Sequence, residues 1–383
     1  LSDDGVRLWV NGKQLINNWT NHAAMENSGS ITLTAGQKYD LVMEYYDYTG
    51  TATAGLLWSC PRTTKQPVPQ SQLYPDISAP GPVRITDALI TSLRIAWQDN
   101  SDNETGFRVE RKTGAAGAYA PVMTTGANTT SWLNSGLAAE TEYFYRICAL
   151  KSSGASEYSP EVGMKTFPIP AAVYHFDSSA NAGLDSSTFN NTLALNNGAG
   201  YTAAGRSSGG LSLASGTAYA EAAHSASLAA SGNQLSLCAW VWFDTTTTGY
   251  RETILAKQVQ ATADVSPYFA YALHRLADGR VRFWVTADGK AKSVVGDTLS
   301  AARWYYICGV YDGAQLRLYV DGAPSGNAVA AQGSVSSYAT PLRLGVKINS
   351  TPVEGMRGKV DGVRVYNRAL TPAQIEFLST SGK

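Results

Sequence analysis

Five Asp-Gly pairs punctuate the last part of the chain, at 278–279, 288–289, 312–313, 321–322 and 361–362. Asp-Gly tolerates the positive φ angles of tight two-residue hairpins, which most residue pairs do not. Between the pairs lie period-2 segments such as "GRVRFWV" and "QLRLYVDG". Alternation at this spacing predicts an antiparallel sandwich or barrel. The rest of the chain reads the same way. "GVRLWVNG" sets Val6, Leu8 and Val10 against Arg7, Trp9 and Asn11, and "YDLVMEYYDY" places Leu41 and Met43 on one face. "SLRIAW", "GFRVERK" and "TEYFYRICAL" alternate with Gly- and Asn-rich turns. The fold class expected is all-β. The exception is "TPAQIEFL", where Thr371 as N-cap, Pro372 in the first turn and Gln374 three residues after the cap predict a short helix. Ile375, Phe377 and Leu378 would dock it.

Two Pro-rich seams, "PVPQSQLYPDISAPGPV" (67–83) and "KTFPIPAAV" (165–173), interrupt the alternation. Proline cannot donate to a strand ladder and stiffens a linker. They divide the 383 residues into three expected domains: 1–75, 80–167 and 171–383. The last is long enough for a jelly roll with a deep core. The start at Leu1, in mid-pattern, reads as the interior of a domain.

Lys plus Arg and Asp plus Glu balance at 30 each, so no net field favours nucleic acid or anionic lipid. No run of about 18 apolar residues is present, so no transmembrane helix is expected. Cys60, Cys148, Cys238 and Cys308 are too scattered for a CxxC motif, and the four His are equally dispersed. Cys238 and Cys308 fall in one domain, as a disulfide or as two small buried apolar residues. Cys60 and Cys148 are expected free.

Catalytic patterns fail on context. "GRSSG" (205–209) satisfies G-x-S-x-G but is followed by strand and turn, where a nucleophile elbow needs a helix. No paired carboxylates of glycosidase type appear, and Glu104 stands where the loop "DNSDNETG" would need the EF-hand glycine. No catalytic residue is assigned, and the chain is read as not an enzyme.

Three resemblances follow. "SDDGVRLWVNGKQLINNW", "ITLTAGQKYDLVMEYYDYTGTATAGLLW" and the closing "VPQSQLYP" resemble the C-terminal half of a PA-14 domain, named after the anthrax protective antigen, and imply part of a β-barrel. "RIAWQD", "DNSDNETGFRVERK" and "SGLAAETEYFYRICAL" resemble a bacterial fibronectin type III domain, an immunoglobulin-like sandwich, with Trp97 as its buried strand Trp and Tyr143 as its tyrosine corner. "LSLCAWVWF", "RWYYICGVYDGAQLRLYVDG" and "GKVDGVRVYNRALTPAQIEFL" resemble a laminin-G-like, concanavalin-like jelly roll, which implies two antiparallel sheets and, often, a sugar-binding surface with a structural calcium.

The resemblances nominate site residues. In sugar-binding PA-14 lectins an Asp-Asp pair matching Asp3 and Asp4 holds calcium, and adjacent carboxylates suit an ion that takes six to eight oxygens. The alternative for "SDDG" is a solvated turn. Asp47 is a further oxygen nearby. Asp177, Asp185, Asn190, Asn191 and Asp361 match a jelly-roll calcium region; the alternative is turn and strand-end acceptors. Trp242, Tyr250, Tyr268 and Trp284 are aromatic platforms on which a pyranose face could stack. Trp19, Trp97, Trp240 and Trp304 are expected in cores.

The function expected is non-catalytic, calcium-assisted carbohydrate binding in a secreted or cell-surface bacterial protein. The partner is a glycan, with no nucleic acid, no membrane insertion and a monomeric state. Two weak sites on one chain would gain avidity. The alternatives are a structural spacer or adhesion stalk, and an ancillary region of a glycoside hydrolase whose catalyst lies upstream.

Overall fold

The computed structural model describes residues 1–73, 77–152, 154–245 and 249–381. Tyr74 and Pro75 of the closing "VPQSQLYP" lie outside the described residues. The chain is nearly all β, in several antiparallel sheets. No described helix is long and apolar enough to cross a membrane.

In the first segment the strand Val6–Val10 lies between Lys13–Asn18 and Leu41–Tyr45. Val6, Leu8 and Val10 are buried, as their alternation predicts. The hairpin turns at Asn11 and Gly12, with φ of 48° and 71°, the left-handed pair that a two-residue hairpin selects. Trp19 departs from expectation. It is 39% exposed, sandwiched between Arg7 (4.2 Å from its ring) and Tyr46 (4.8 Å between centroids).

The second segment is a sandwich. One sheet pairs Ser92–Ala96 with Arg84–Ala88 and Ser131–Ser135; the other is built around Gly106–Thr113 and Glu142–Lys151. Trp97 is buried against Phe107, ring centroids 5.6 Å apart. The backbone N–H of Ala138 donates to the Tyr143 hydroxyl at 3.0 Å, which ties the loop down as a tyrosine corner should. Lys151 pairs with Asp40 of the first segment at 3.0 Å.

Among the described residues the third segment stacks a nine-stranded sheet on a seven-stranded one. Leu235, Leu237, Ala239, Val241 and Phe243 of the strand Leu235–Phe243 point inward to meet Leu255, Leu273, Val281, Phe283 and Val285 of the other sheet. Gly309 lies directly under Phe283: a Cβ there would fall 2.3 Å from the ring. Cys238 and Cys308 face each other across neighbouring strands and are disulfide-bonded, while Cys60 and Cys148 are free thiols. By chain entropy, a link between residues 70 apart is worth about 4 kcal/mol.

Four Asp-Gly pairs sit at strand-to-strand turns, with left-handed φ at Gly279, Gly289, Gly313 and Gly322. The fifth does not. Asp361 and Gly362 lie inside the strand Gly358–Tyr366, where the register against Cys238–Trp240 shifts. Gly362, at φ 54°, supplies the left-handed residue of a bulge rather than a hairpin.

The helix Pro372–Ser381 forms as its capping box predicts. The backbone N–H of Thr371 donates to Gln374 Oε1 at 2.8 Å and that of Gln374 donates to Thr371 Oγ1 at 3.3 Å. Ile375 and Leu378 are buried against the nine-stranded sheet's outer face, and Phe377 meets Phe167 at 6.2 Å. Gln374 Nε2 donates to the carbonyls of Lys165 and Thr166, so the helix bridges the second and third segments.

The contact under Phe283 gives a direct test. Gly309→Ala is expected to destabilise by about 1–3 kcal/mol through overpacking, and adding Phe283→Leu should recover most of that. Urea unfolding of the single and double variants measures both.

Candidate functional site

The inward alternation of the seven-stranded sheet leaves the opposite side chains on its outer face. One row crosses six strands: Glu221, Arg343, Ala256, Ala272, Trp284 and Ser293 are successive register partners. The adjacent row holds Thr253, His274 and Arg282. The small side chains of Ala256 and Ala272 let Phe269 lie flat on the floor, edge-on to His274 (4.7 Å) and Trp284 (6.1 Å).

Polar groups from loops close over this floor. Arg251 and Glu354 form two parallel hydrogen bonds of 2.6 Å each. Lys347 reaches Asp264 at 2.6 Å and Glu354 at 3.4 Å, and stands 5.7 Å from the Tyr268 ring and 5.9 Å from the Phe269 ring. Tyr250 donates to the carbonyl of Gly355 at 3.4 Å. Tyr250 and Tyr268 are 40% and 41% exposed, and Trp284 is half-buried. Tyr268, through Lys347, and Trp284, through Phe269, therefore border one cluster, and Tyr250 is tied to Gly355 next to Glu354.

Trp242 does not join them. It is on the outer face of the nine-stranded sheet, 6.0 Å from Trp304 with Lys359 4.6 Å above its ring. Trp240, on the same face, is buried beneath Arg206 at 4.4 Å.

Of the residues proposed for calcium, Asp185 braces its own loop. Its carboxylate accepts from the backbone N–H of Val173 (2.9 Å), Ser187 (2.8 Å) and Asn191 (2.7 Å), and from the Ser187 hydroxyl (2.7 Å). Those four donors fill its lone pairs. Asn190 is exposed with φ 56°, and Asn191 bonds Ala171, Ser225 and Ser227. Asp361 is buried and accepts from the backbone N–H of Arg206 and Ser207, the "GRSSG" loop. Burial pushes its pKa up to about 6, and Asp177 adds to the rise.

Asp4 is buried too, and the peptide bond joining it to Asp3 is cis. Asp4 Oδ1 accepts from His22 N–H at 2.7 Å and Oδ2 from Tyr48 N–H at 2.8 Å. The Tyr48 bond, above all, holds its pKa below the usual range. Burial and then Asp47, with smaller contributions from Asp3 and Asp4, push the Tyr45 phenol up, and its hydroxyl donates to the Asp3 backbone carbonyl at 2.7 Å. Thr49 adds a third backbone donor to the Asp4 carboxylate, and the oxygens of Asp3 and Asp4 are of the kind a hard cation takes. Among the described residues no three His, Cys, Asp or Glu side chains converge as a metal site.

Protein-family models match three consecutive segments: the PA14 domain over residues 1–72, the fibronectin type III domain over 78–165, and the concanavalin A-like lectin/glucanases superfamily over 214–376. The expected three-domain series is present, in the expected order. Domains of these kinds are typically binding or ancillary modules. Among curated proteins, the chain is 51% identical over 75 residues to the anti-sigma-I factor RsgI3 of Acetivibrio thermocellus, covering 20% of this chain and 12% of that protein. Similar solved structures include the binding domain of Paraclostridial Mosquitocidal Protein 1, at 14% identity and TM-score 0.45, over 55% of this chain and 52% of that one. Domain 4 of AbnA, a GH43 extracellular arabinanase from Geobacillus stearothermophilus solved with arabinotriose, is 19% identical at TM-score 0.43, over 55% of this chain and 98% of that one.

Arg251, Arg282, His274 and Lys347 carry no motif and are not candidates on sequence alone. The alternation in "GRVRFWV" does hold a signal, because it puts Arg282 and Trp284 on one face opposite Val281, Phe283 and Val285.

On the same strand as Ala256, Lys257 is buried and donates to the carbonyl of Thr340. Burial depresses its pKa to about 8, against about 10.4 unfolded. The unfolded chain therefore binds more protons between these values, and stability rises with pH across about 8 to 10.4. Lys257→Met should flatten that rise, as read from urea midpoints at pH 8 and pH 10.

Proposed function

We propose that the chain is a non-catalytic carbohydrate-binding segment of a secreted or cell-surface bacterial protein, acting as a monomer. The jelly-roll outer face is its principal glycan contact. The observation that carries this is the gathering of Trp284, Tyr268 and Tyr250 around one polar cluster. An aromatic ring buries the C–H face of a pyranose, while hydrogen-bonding groups beside it meet the hydroxyls. Arg251, Arg282, Lys347 and Glu354 are those groups here. The match to a lectin and glucanase superfamily model supports the reading.

Calcium is proposed at Asp3 and Asp4, with Asp47 close by. Adjacent carboxylates would supply charge to an ion whose remaining positions water or sugar hydroxyls complete. This second, weaker contact would add avidity, provided both can reach one polymer.

The test is retention of the intact chain on insoluble and gel-immobilised polysaccharides, with and without EDTA. Trp284→Ala and Tyr268→Ala should each weaken retention about five- to tenfold, the equivalent of roughly 1–1.4 kcal/mol. Trp242→Ala should leave it unchanged. EDTA should remove only the Asp3–Asp4 contribution. No retention on any glycan overturns the proposal.

A further inference from the structure

We propose that the sugar held on this face carries a carboxylate, and that Arg282 is the residue that takes it. The inference rests on the glycan-binding reading and narrows its ligand class to acidic, uronate-type sugars.

Charges of both signs surround the row of Thr253, His274 and Arg282. Arg251, Arg282 and Lys347 are the cations. Glu354 is shared by Arg251 and Lys347, and Asp264 serves Lys347 from a partly exposed position. That is one positive charge in excess, and it falls on Arg282. Among the described residues no carboxylate lies within ion-pair distance of its guanidinium. Its neighbours are His274 Nδ1 at 3.5 Å and the Trp284 ring at 5.0 Å.

His274 supplies no counter-charge and no second positive charge. It is fully buried, and burial, then Arg282, Arg251 and Lys347, keep it neutral. Thr253 Oγ1, His274 Nε2 and Arg282 Nε are each buried without a hydrogen-bond partner. These three are consecutive register partners in one row. Buried polar atoms usually find partners, so three orphans in a row beside a guanidinium with no ion-pair partner, which Glu354 offsets only from a distance, mark a place where an anion belongs.

The chemistry selects a carboxylate. Guanidinium presents a planar fork that matches the two oxygens of a carboxylate. A single positive charge in excess suits a monoanion. Trp284 is two residues along the same strand and the same face, about 7 Å away. One hexuronate could thus stack on the indole and still reach Arg282 with its carboxylate.

The test is affinity electrophoresis of the intact chain through gels containing polygalacturonate, alginate or hyaluronan. Companion gels contain carboxyl-reduced polygalacturonate, neutral arabinan, xylan and galactan, and dextran sulfate. The expected result is salt-sensitive retardation by at least one uronate polymer. Arg282→Gln and Arg282→Lys should each weaken it at least about tenfold, as for loss of a charge-assisted bidentate pair. Arg282→Lys keeps charge and stem, so the comparison survives if Arg282→Gln misfolds; circular dichroism melts check both. Equal retardation by the carboxyl-reduced polymer, retardation by neutral glycans alone, or undiminished binding by both variants overturns the inference and leaves the glycan reading standing. Equal, Arg282-independent retardation by dextran sulfate shows ion exchange only and also overturns it. No retardation in any gel overturns both.

Discussion

The apolar core between the two jelly-roll sheets is the constraint on which the rest depends. It fixes which residue of each strand points inward, and therefore which points out. A one-residue slip would exchange the two faces of a strand. Because Val281, Phe283 and Val285 are buried, Arg282 and Trp284 must face outward together. Because Leu255 and Leu273 are buried, Ala256 and Ala272 form the floor that accepts Phe269. The composition of this outer face is thus a by-product of core packing, completed by loops that bring Arg251, Lys347 and Glu354 across it.

The second dependence is the helix Pro372–Ser381. Its apolar side covers the nine-stranded sheet near the Cys238–Cys308 bridge, and Gln374 is hydrogen-bonded to the end of the fibronectin-type segment. The sheet carrying Trp240 and Trp242 is consequently occupied by intramolecular contacts over much of its outer surface. The outer face of the seven-stranded sheet is covered instead by Phe269 and by the side chains of Arg251, Lys347 and Glu354, with Arg282 and Trp284 left half-buried. This explains why Trp242 and Trp284, alike in sequence context, have different surroundings.

Much of this was legible in the sequence because the governing interactions are local. Alternation located the strands, four of the five Asp-Gly pairs marked turns, and Thr371 with Gln374 announced the helix. The misreadings have a common origin in non-local structure. Asp361-Gly362 has the same local signature as a hairpin, and only its register against Cys238–Trp240 makes it a bulge. Trp19 matches a position of the family it resembles that is expected in the core, yet Arg7 and Tyr46 hold it at the surface. The cationic cluster was illegible for the same reason: Arg251 and Glu354 are 103 residues apart, and nothing short-range pairs them.

The central claim is that the outer face of the seven-stranded sheet is where a glycan binds. Hydrogen–deuterium exchange of the intact chain, with and without a polysaccharide that retains it, tests this most directly. The account predicts added protection in Phe269–Arg275, Arg280–Ala287 and the 347–355 segment, with the strand Leu235–Phe243 unchanged. Protection confined to Leu235–Phe243 and its neighbours, or to the Asp3–Asp4 loop alone, would contradict it.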